Sequence, residues 1–169
     1  IVRDEEETLG RCLSSIVDFV DEIVIVDTGS VDGTKRVASA FTEKVYDFPW
    51  TDDFSAARNF SFSKGNMDYL MWLDADDVVL PDDLARLQVL KETLDPKTDV
   101  VMLKYNVGFD ADGNVTLSYY RSRLLRRNRG FIWYDPIHEY IQPSGNIVTM
   151  DIAVTHRKIR PREPGRNLR

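Results

Sequence analysis

Residues 69–81 read "YLMWLDADDVVLP". Bulky residues from Tyr69 to Leu73 run straight into Asp74, Asp76 and Asp77, and Pro81 stands four positions after the last acid. An unbroken apolar run predicts a buried, central strand. Pro81 predicts a helix start, "PDDLARLQVLKETL", with Asp82 and Asp83 in the first turn, where the helix dipole favours anions. Strand, acidic turn and helix make one α/β unit. The acids repel one another and are costly beside a buried strand, so something must compensate them.

The same grammar repeats outward from this stretch. Ile1-Val2 reads as the stub of a first strand. Thr8 to Phe19 predicts a helix with Leu9, Cys12, Leu13, Ile16 and Val20 on one face. "EIVIVDTGS" (22–30) predicts a strand buried on both faces, "VDGTKRVASAF" a turn and helix, and "KVYDFPW" a short strand stopped by Pro49. "DDFSAARNFSFSKG" predicts a helix stopped by Gly65. Downstream, "DVVMLKYNVGF" and "NVTLSYYRSRLL" flank "DADG", a hairpin signal with Gly113 in the turn. "EYIQPSGNIVT" predicts a second hairpin and "DIAVTH" a last strand. Helix-separated strands predict a doubly wound, mainly parallel α/β sheet, with a β-rich C-terminal region after it. Ligands of such sheets bind beyond the carboxyl ends of the strands. Asp27 ends one predicted strand and Asp74 to Asp76 another, so both should face one crevice.

The chain has 169 residues, 43% hydrophobic and 30% charged, which fits one soluble domain with a full core. Its 28 acids outnumber 22 bases, for a net charge of −6, which argues against a nucleic-acid binder. It suits a protein that recruits a divalent cation and then an anionic ligand. Cys12 is the one cysteine and falls on an apolar helical face. No internal disulfide can form, which fits a reducing compartment and gives a cytoplasmic expectation, with the inner face of the membrane as an included location. No apolar run reaches membrane-spanning length. The start at Ile1 and the close on "HRKIRPREPGRNLR" read as the edges of a fragment of a longer protein.

The acids carry the chemistry. On an extended chain Asp74 and Asp76 point to one side, with small Ala75 between them, and paired carboxylates suit Mg²⁺ or Mn²⁺ bridged to phosphates. Asp77 and Asp82 read as solvated turn and helix-start residues. A calcium hand is excluded, because Val79 and Ala85 stand where its Gly and Glu belong. Asp27 can accept hydrogen bonds from a base or ribose, or simply build a βα turn. Both phosphate-loop and dinucleotide glycine motifs are absent. Arg58, in an otherwise apolar helix, can clamp a phosphate or pair with Asp52 or Asp53. "IHEYI" is not a zincin motif, since Gln142 replaces the second histidine. Glu139 can act as a general base, and His156, at a strand end, as a metal ligand or an ordinary polar residue. The basic residues Arg157, Lys158, Arg160 and Arg162 can help neutralise a diphosphate or form a solvated tail.

Five phrases occur in order: "VRDEEETLGRCLSSI", "VDEIVIVDTGSVDGT", "FPWTDDFSAARN", "WLDADD" and "IHEYI". Together they resemble the family 2 glycosyltransferases with the GT-A-type fold, closest to the bacterial SunS-like and helical-repeat-associated group. The resemblance implies a single catalytic domain over residues 1–156. Its nucleotide-binding part covers about 1–98 and its acceptor-side part about 99–156, with a basic tail over 157–169. It implies that Glu5, Asp27, Arg58 and Asp74 bind the nucleotide-sugar and that Asp76, with His156, ligates Mn²⁺ or Mg²⁺ through the DxD motif. Glu139 falls at the catalytic carboxylate. The implied reaction is metal-dependent, inverting transfer from a UDP-type donor to a saccharide, peptide or lipid-linked acceptor. A nucleotidyltransferase is the rival enzyme reading, disfavoured by the acidic first loop "RDEEET"; a non-catalytic binding module is the other.

Overall fold

The computed structural model describes residues 1–158. Parallel pairing begins at the N-terminus, where Val2 bridges to Asp27 and β1 (Ile25–Asp27) pairs with β2 (Val45–Asp47). All of β1 is buried, as expected of a β-branched run covered on both faces. Helices α1 (Leu9–Ser14) and α2 (Thr34–Ser39) flank it. Leu9, Cys12, Leu13 and Ile16 of the expected apolar face are buried. The α-helix stops earlier than the pattern suggests, because Ile16 donates to Leu13 O and Phe19 to Ile16 O, tighter three-residue turns. Helix α3 (Phe54–Lys64) follows β2 and is capped by Asp53, whose carboxylate accepts from the Ala56 N–H at 3.0 Å.

A second sheet holds β3 (Tyr69–Met71), β4 (Asp77–Val78), β5 (Val100–Phe109), β6 (Val115–Arg126) and β9 (Ile147–His156), in the order β3-β6-β5-β9-β4. Within it only β5 and β9 are parallel; the other pairs are antiparallel. This sheet is therefore mixed, and the other parallel pair, β1–β2, forms a separate two-stranded sheet. The expected β5–β6 hairpin is present, with Gly113 at φ 85° and the Asp110 carboxylate accepting from the Asp112 and Asn114 N–H groups. Helix α4 (Pro81–Thr93) buries Leu87 and Leu90 against Val101, Leu103, Leu124 and Val154.

Two expectations change. "YLMWLDADD" is not one central strand: β3 and β4 lie on opposite edges, and residues 72–76 cross between them. The Asp77 N–H donates to Asp74 O at 3.0 Å, closing a turn, so the acids sit in a bend rather than on an extended chain. Nor do residues 139–149 form a hairpin. Instead β8 (Tyr140–Ile141) pairs with β7 (Trp133–Tyr134), which follows a short 3₁₀ turn at Arg127–Arg129. The chain then turns at Gly145, φ 84°, where a Cβ would lie 2.2 Å from an Asp99 carboxylate oxygen. Asn146 donates to that carboxylate at 2.9 Å, and the turn delivers β9 to β5.

Asp77 also differs from its reading as a solvated turn residue. Asp77 and Arg123 are both fully buried and pair at 3.1 Å. The guanidinium also donates to Trp72 O at 3.0 Å and stacks over the Trp72 and Tyr105 rings. Among the described residues no helix is long and apolar enough to cross a membrane. The basic tail lies outside the described residues from position 159 onward.

Asp77→Asn removes the anion and strands a buried guanidinium, which should cost about 3–5 kcal/mol. Urea unfolding measures this, and Arg123→Met added to Asp77→Asn should recover part of the loss. A cost under about 1 kcal/mol, the scale of an exposed pair, would show that the pair does not hold the turn.

Candidate active site

The bend at residues 74–77 presents three carboxylates, and each meets a cation from a different element. Arg58 on α3 donates from Nη2 to Asp74 Oδ1 at 2.8 Å and from Nε to Glu139 Oε1 at 2.7 Å. Its guanidinium is buried, 4.7 Å from the Trp133 ring centroid and 5.1 Å from that of Trp72. Arg58 thus joins the acid turn to a carboxylate far along the chain. Neither Asp52 nor Asp53 is its partner: Asp52 accepts from the Trp50 indole and Asp53 caps α3.

His156 ends β9 directly opposite Asp77 in the β4–β9 pairing. Its Nδ1 lies 3.2 Å from Asp76 Oδ1, 3.5 Å from Asp77 Oδ1 and 3.1 Å from the Tyr105 hydroxyl. Asp76, Asp77 and His156 can each offer one ligand atom, all within 4.8 Å of one another. Asp77 Oδ1 is buried without a hydrogen-bond partner, an uncompensated acceptor facing this cluster. The neighbouring carboxylates of Asp76 and then Asp77 raise the His156 pKa from 6.5 to about 9, with burial opposing them. A proton on the imidazole therefore supplies positive charge here.

Beside this cluster opens a cleft of about 1000 Å³, lined by Glu5, Thr28, Trp50, Asp52, Phe54, Arg58, Asp74, Asp76, Glu139 and Lys158 among others. The loop carrying Glu139 is held on both sides. Phe54 N–H donates to Pro136 O at 3.0 Å, and both Asp135 and His138 adopt left-handed φ, 66° and 62°. Left-handed backbone at two non-glycine residues costs energy and persists only where surroundings enforce it.

The glycosyl transferase family 2 model matches residues 1–147. The chain belongs to that family. A TPR repeat-containing protein of Synechococcus elongatus is 37% identical over 145 residues, 85% of this chain and 34% of that protein. The lipopolysaccharide core biosynthesis glycosyltransferase LpsC of Rhizobium meliloti is 27% identical, over 87% of this chain and 57% of its own. The family 2 domain thus spans about a third to somewhat over half of these relatives. S. aureus TarS in complex with UDP-GlcNAc superposes with a TM-score of 0.66 at 13% identity, covering 95% of this chain and 57% of that one. Glucosyl-3-phosphoglycerate synthase from Mycobacterium tuberculosis, in complex with Mn²⁺ and UDP-glucose, superposes at 0.50 and 23% identity, covering 62% and 41%. The fold is the GT-A-type α/β fold.

Of the residues singled out in this family 2 domain, Glu5, Arg58, Asp74, Asp76 and Glu139 all line the cleft. Burial pushes the Glu5 carboxyl up, and the charges of Asp76, Asp32 and Asp74 push further, against a hydrogen bond from Thr8. For Asp74, burial pushes the carboxyl up, but Arg58 and Arg123 among the surrounding cations together outweigh it, and the net direction is down. Asp27 stands apart, buried in the β1 turn. Its Oδ1 accepts from the Gly29 and Ser30 N–H groups at 2.9 and 2.8 Å, and its Oδ2 has no partner. Cys12 is buried and its thiol is pushed up to about 12, first by burial, which leaves it inert. Sequence reasoning passed over Arg123, Tyr105 and the two tryptophans around Arg58. Alternation along "RSRLL" was the available signal, since Arg121 and Arg123 share one side of a strand.

The raised His156 pKa fixes a pH dependence. Stabilisation by the protonated imidazole is fully present below about 6.5 and is lost as pH rises through about 9. In metal-free buffer the urea midpoint should therefore fall between those values. His156→Gln should flatten that slope, and an unchanged slope would assign it to another group.

Proposed function

We propose that this domain transfers a sugar from a nucleoside-diphosphate donor of the UDP type to an acceptor nucleophile, by a metal-assisted single displacement that inverts the anomeric carbon. The observation that carries this reading is the Arg58 bridge. It brings Glu139, a candidate base, beside Asp74 in one cleft, although 81 and 16 residues separate Arg58 from its two partners. The UDP-sugar complexes of fold neighbours support the donor class.

In the proposed reaction Glu139 accepts the acceptor's proton. The freed electron pair forms the new bond to the anomeric carbon, the bond to the diphosphate oxygen breaks, and the diphosphate leaves with the pair from that broken bond. Arg58 is a positioning residue. It fixes the orientation of one Glu139 oxygen, leaving the other for the acceptor. Glu5 and Asp27 belong to the nucleoside end: Glu5 lines the cleft, and Asp27 shapes the turn at its floor. Asp74 meets the donor beside the bend.

Asp76 and His156 are the residues that would hold a divalent cation, with Asp77 bracing the imidazole from behind. The chemistry of this donor set fits such an ion: it pairs carboxylates with an imidazole, and a buried carboxylate oxygen among them lacks a partner. Imidazole with carboxylate suits Mn²⁺ better than Mg²⁺, which prefers an all-oxygen shell with several waters. When bound, the ion would supply Lewis-acid neutralisation of the leaving diphosphate.

Glu139→Gln keeps an oxygen for Arg58 but cannot take a proton. Release of UDP from UDP-sugars, with water as surrogate acceptor, should fall by about 10²–10⁴-fold. Calorimetric affinity for UDP with Mn²⁺ should stay within about twofold of the parent, well under the 1.4 kcal/mol of a tenfold change. Full turnover in the variant would remove Glu139 from the role of base.

A further inference from the structure

Resting on that reading, we infer that Lys158 alone is the cation that grips the donor's diphosphate, a role the sequence offered both to Arg58 and to the whole basic run from Arg157 onward. The cleft is lined by five carboxylates, from Glu5, Asp52, Asp74, Asp76 and Glu139, an unfavourable field for a polyanion. Three cationic side chains also line it: Arg3, Arg58 and Lys158. Arg58 is already committed. Its guanidinium is buried between two indole rings, and its Nε and Nη2 hydrogen bonds go to Glu139 and Asp74. Turning it to a phosphate would leave both carboxylates unpaired.

Lys158 is placed differently. The Arg157 N–H donates to Asp76 O at 2.9 Å, and the Arg11 guanidinium binds Arg157 O. The backbone just past β9 is thereby pinned to the acid bend. With that anchor in place, Lys158 lines the cleft together with Asp76. The ammonium is exposed and has no carboxylate partner among the described residues. Arg3 follows Val2 at the β1 side, with Glu5 and Thr28, and so belongs to the nucleoside end. The ligand class for Lys158 is the pyrophosphate of a nucleoside diphosphate lying against Asp76 and His156. A lysine suits that task as a mobile point charge with three donors.

Titration calorimetry of the full chain with Mn²⁺, using UDP, UMP and uridine, tests this. Lys158→Met should weaken UDP roughly tenfold to a hundredfold, the worth of a hydrogen bond to a charged group, and leave uridine unchanged. Lys158→Arg should restore most of the UDP affinity. An unchanged UDP affinity, an equal loss for UDP and uridine, or a diphosphate-specific loss in Arg3→Met instead would overturn the assignment while the donor class stands. If the parent chain binds UDP no better than uridine with Mn²⁺ present, the donor reading falls and the role of Lys158 falls with it.

Discussion

Asp77 and Arg123 meet with no exposed surface on either side chain. Burying two charges is expensive, and their attraction offsets the cost only with good geometry and further hydrogen bonds. Here the guanidinium lies over Trp72 and Tyr105 and binds the Trp72 carbonyl, while the Asp77 oxygen it meets, Oδ2, also accepts from the Asp74 N–H. One ion pair therefore ties the acid bend to β6, an interior strand of the larger sheet. Every other cleft acid of the bend takes its position from that anchor. Asp74 can reach Arg58 and Asp76 can reach His156 because the bend between them cannot slide.

Charge is distributed along the same lines. Three carboxylates within four residues would be intolerable together, but each is answered from a different direction: Asp74 by α3, Asp76 by the end of β9, Asp77 by β6. Arg58 and Arg123 are permanently charged, whereas the third cation is a histidine whose charge is conditional. That asymmetry marks Asp76 and His156 as the place where a metal could replace a proton. It leaves the Asp74 and Asp77 pairs intact in both states.

The elements of the fold were legible wherever hydrophobic pattern and turn chemistry agreed. The β-branched run at 23–26, Pro81 at a helix start and "DADG" before β6 each left one local solution. Pairing partners were less legible. Nothing local to "YLMWLDADD" reveals that its two halves join opposite edges of a sheet, since that depends on where β6 and β9 arrive. The cleft acids could be found because Asp74, Asp76 and Glu139 stand at ends of predicted elements. Asp77 was misjudged for a physical reason: a carboxylate is read as solvated unless its counter-ion is known, and Arg123 lies 46 residues away. Arg58 was ambiguous in the same way, its two partners being separated from it and from each other along the chain.

The position of β9 has a consequence for how the domain is made. β9 lies between β5 and β4, parallel to the first and antiparallel to the second, and it brings His156 to Asp76 only at its last residue. Parallel pairing over such separations is slow, because loop entropy is lost before contacts are gained. A chain emerging from synthesis would hold the whole acid bend and the β5–β6 hairpin before its histidine appeared. Asp76 meets His156 only once β9 has threaded in. A cation bound between Asp76 and His156 would then also hold β9 against the acid bend.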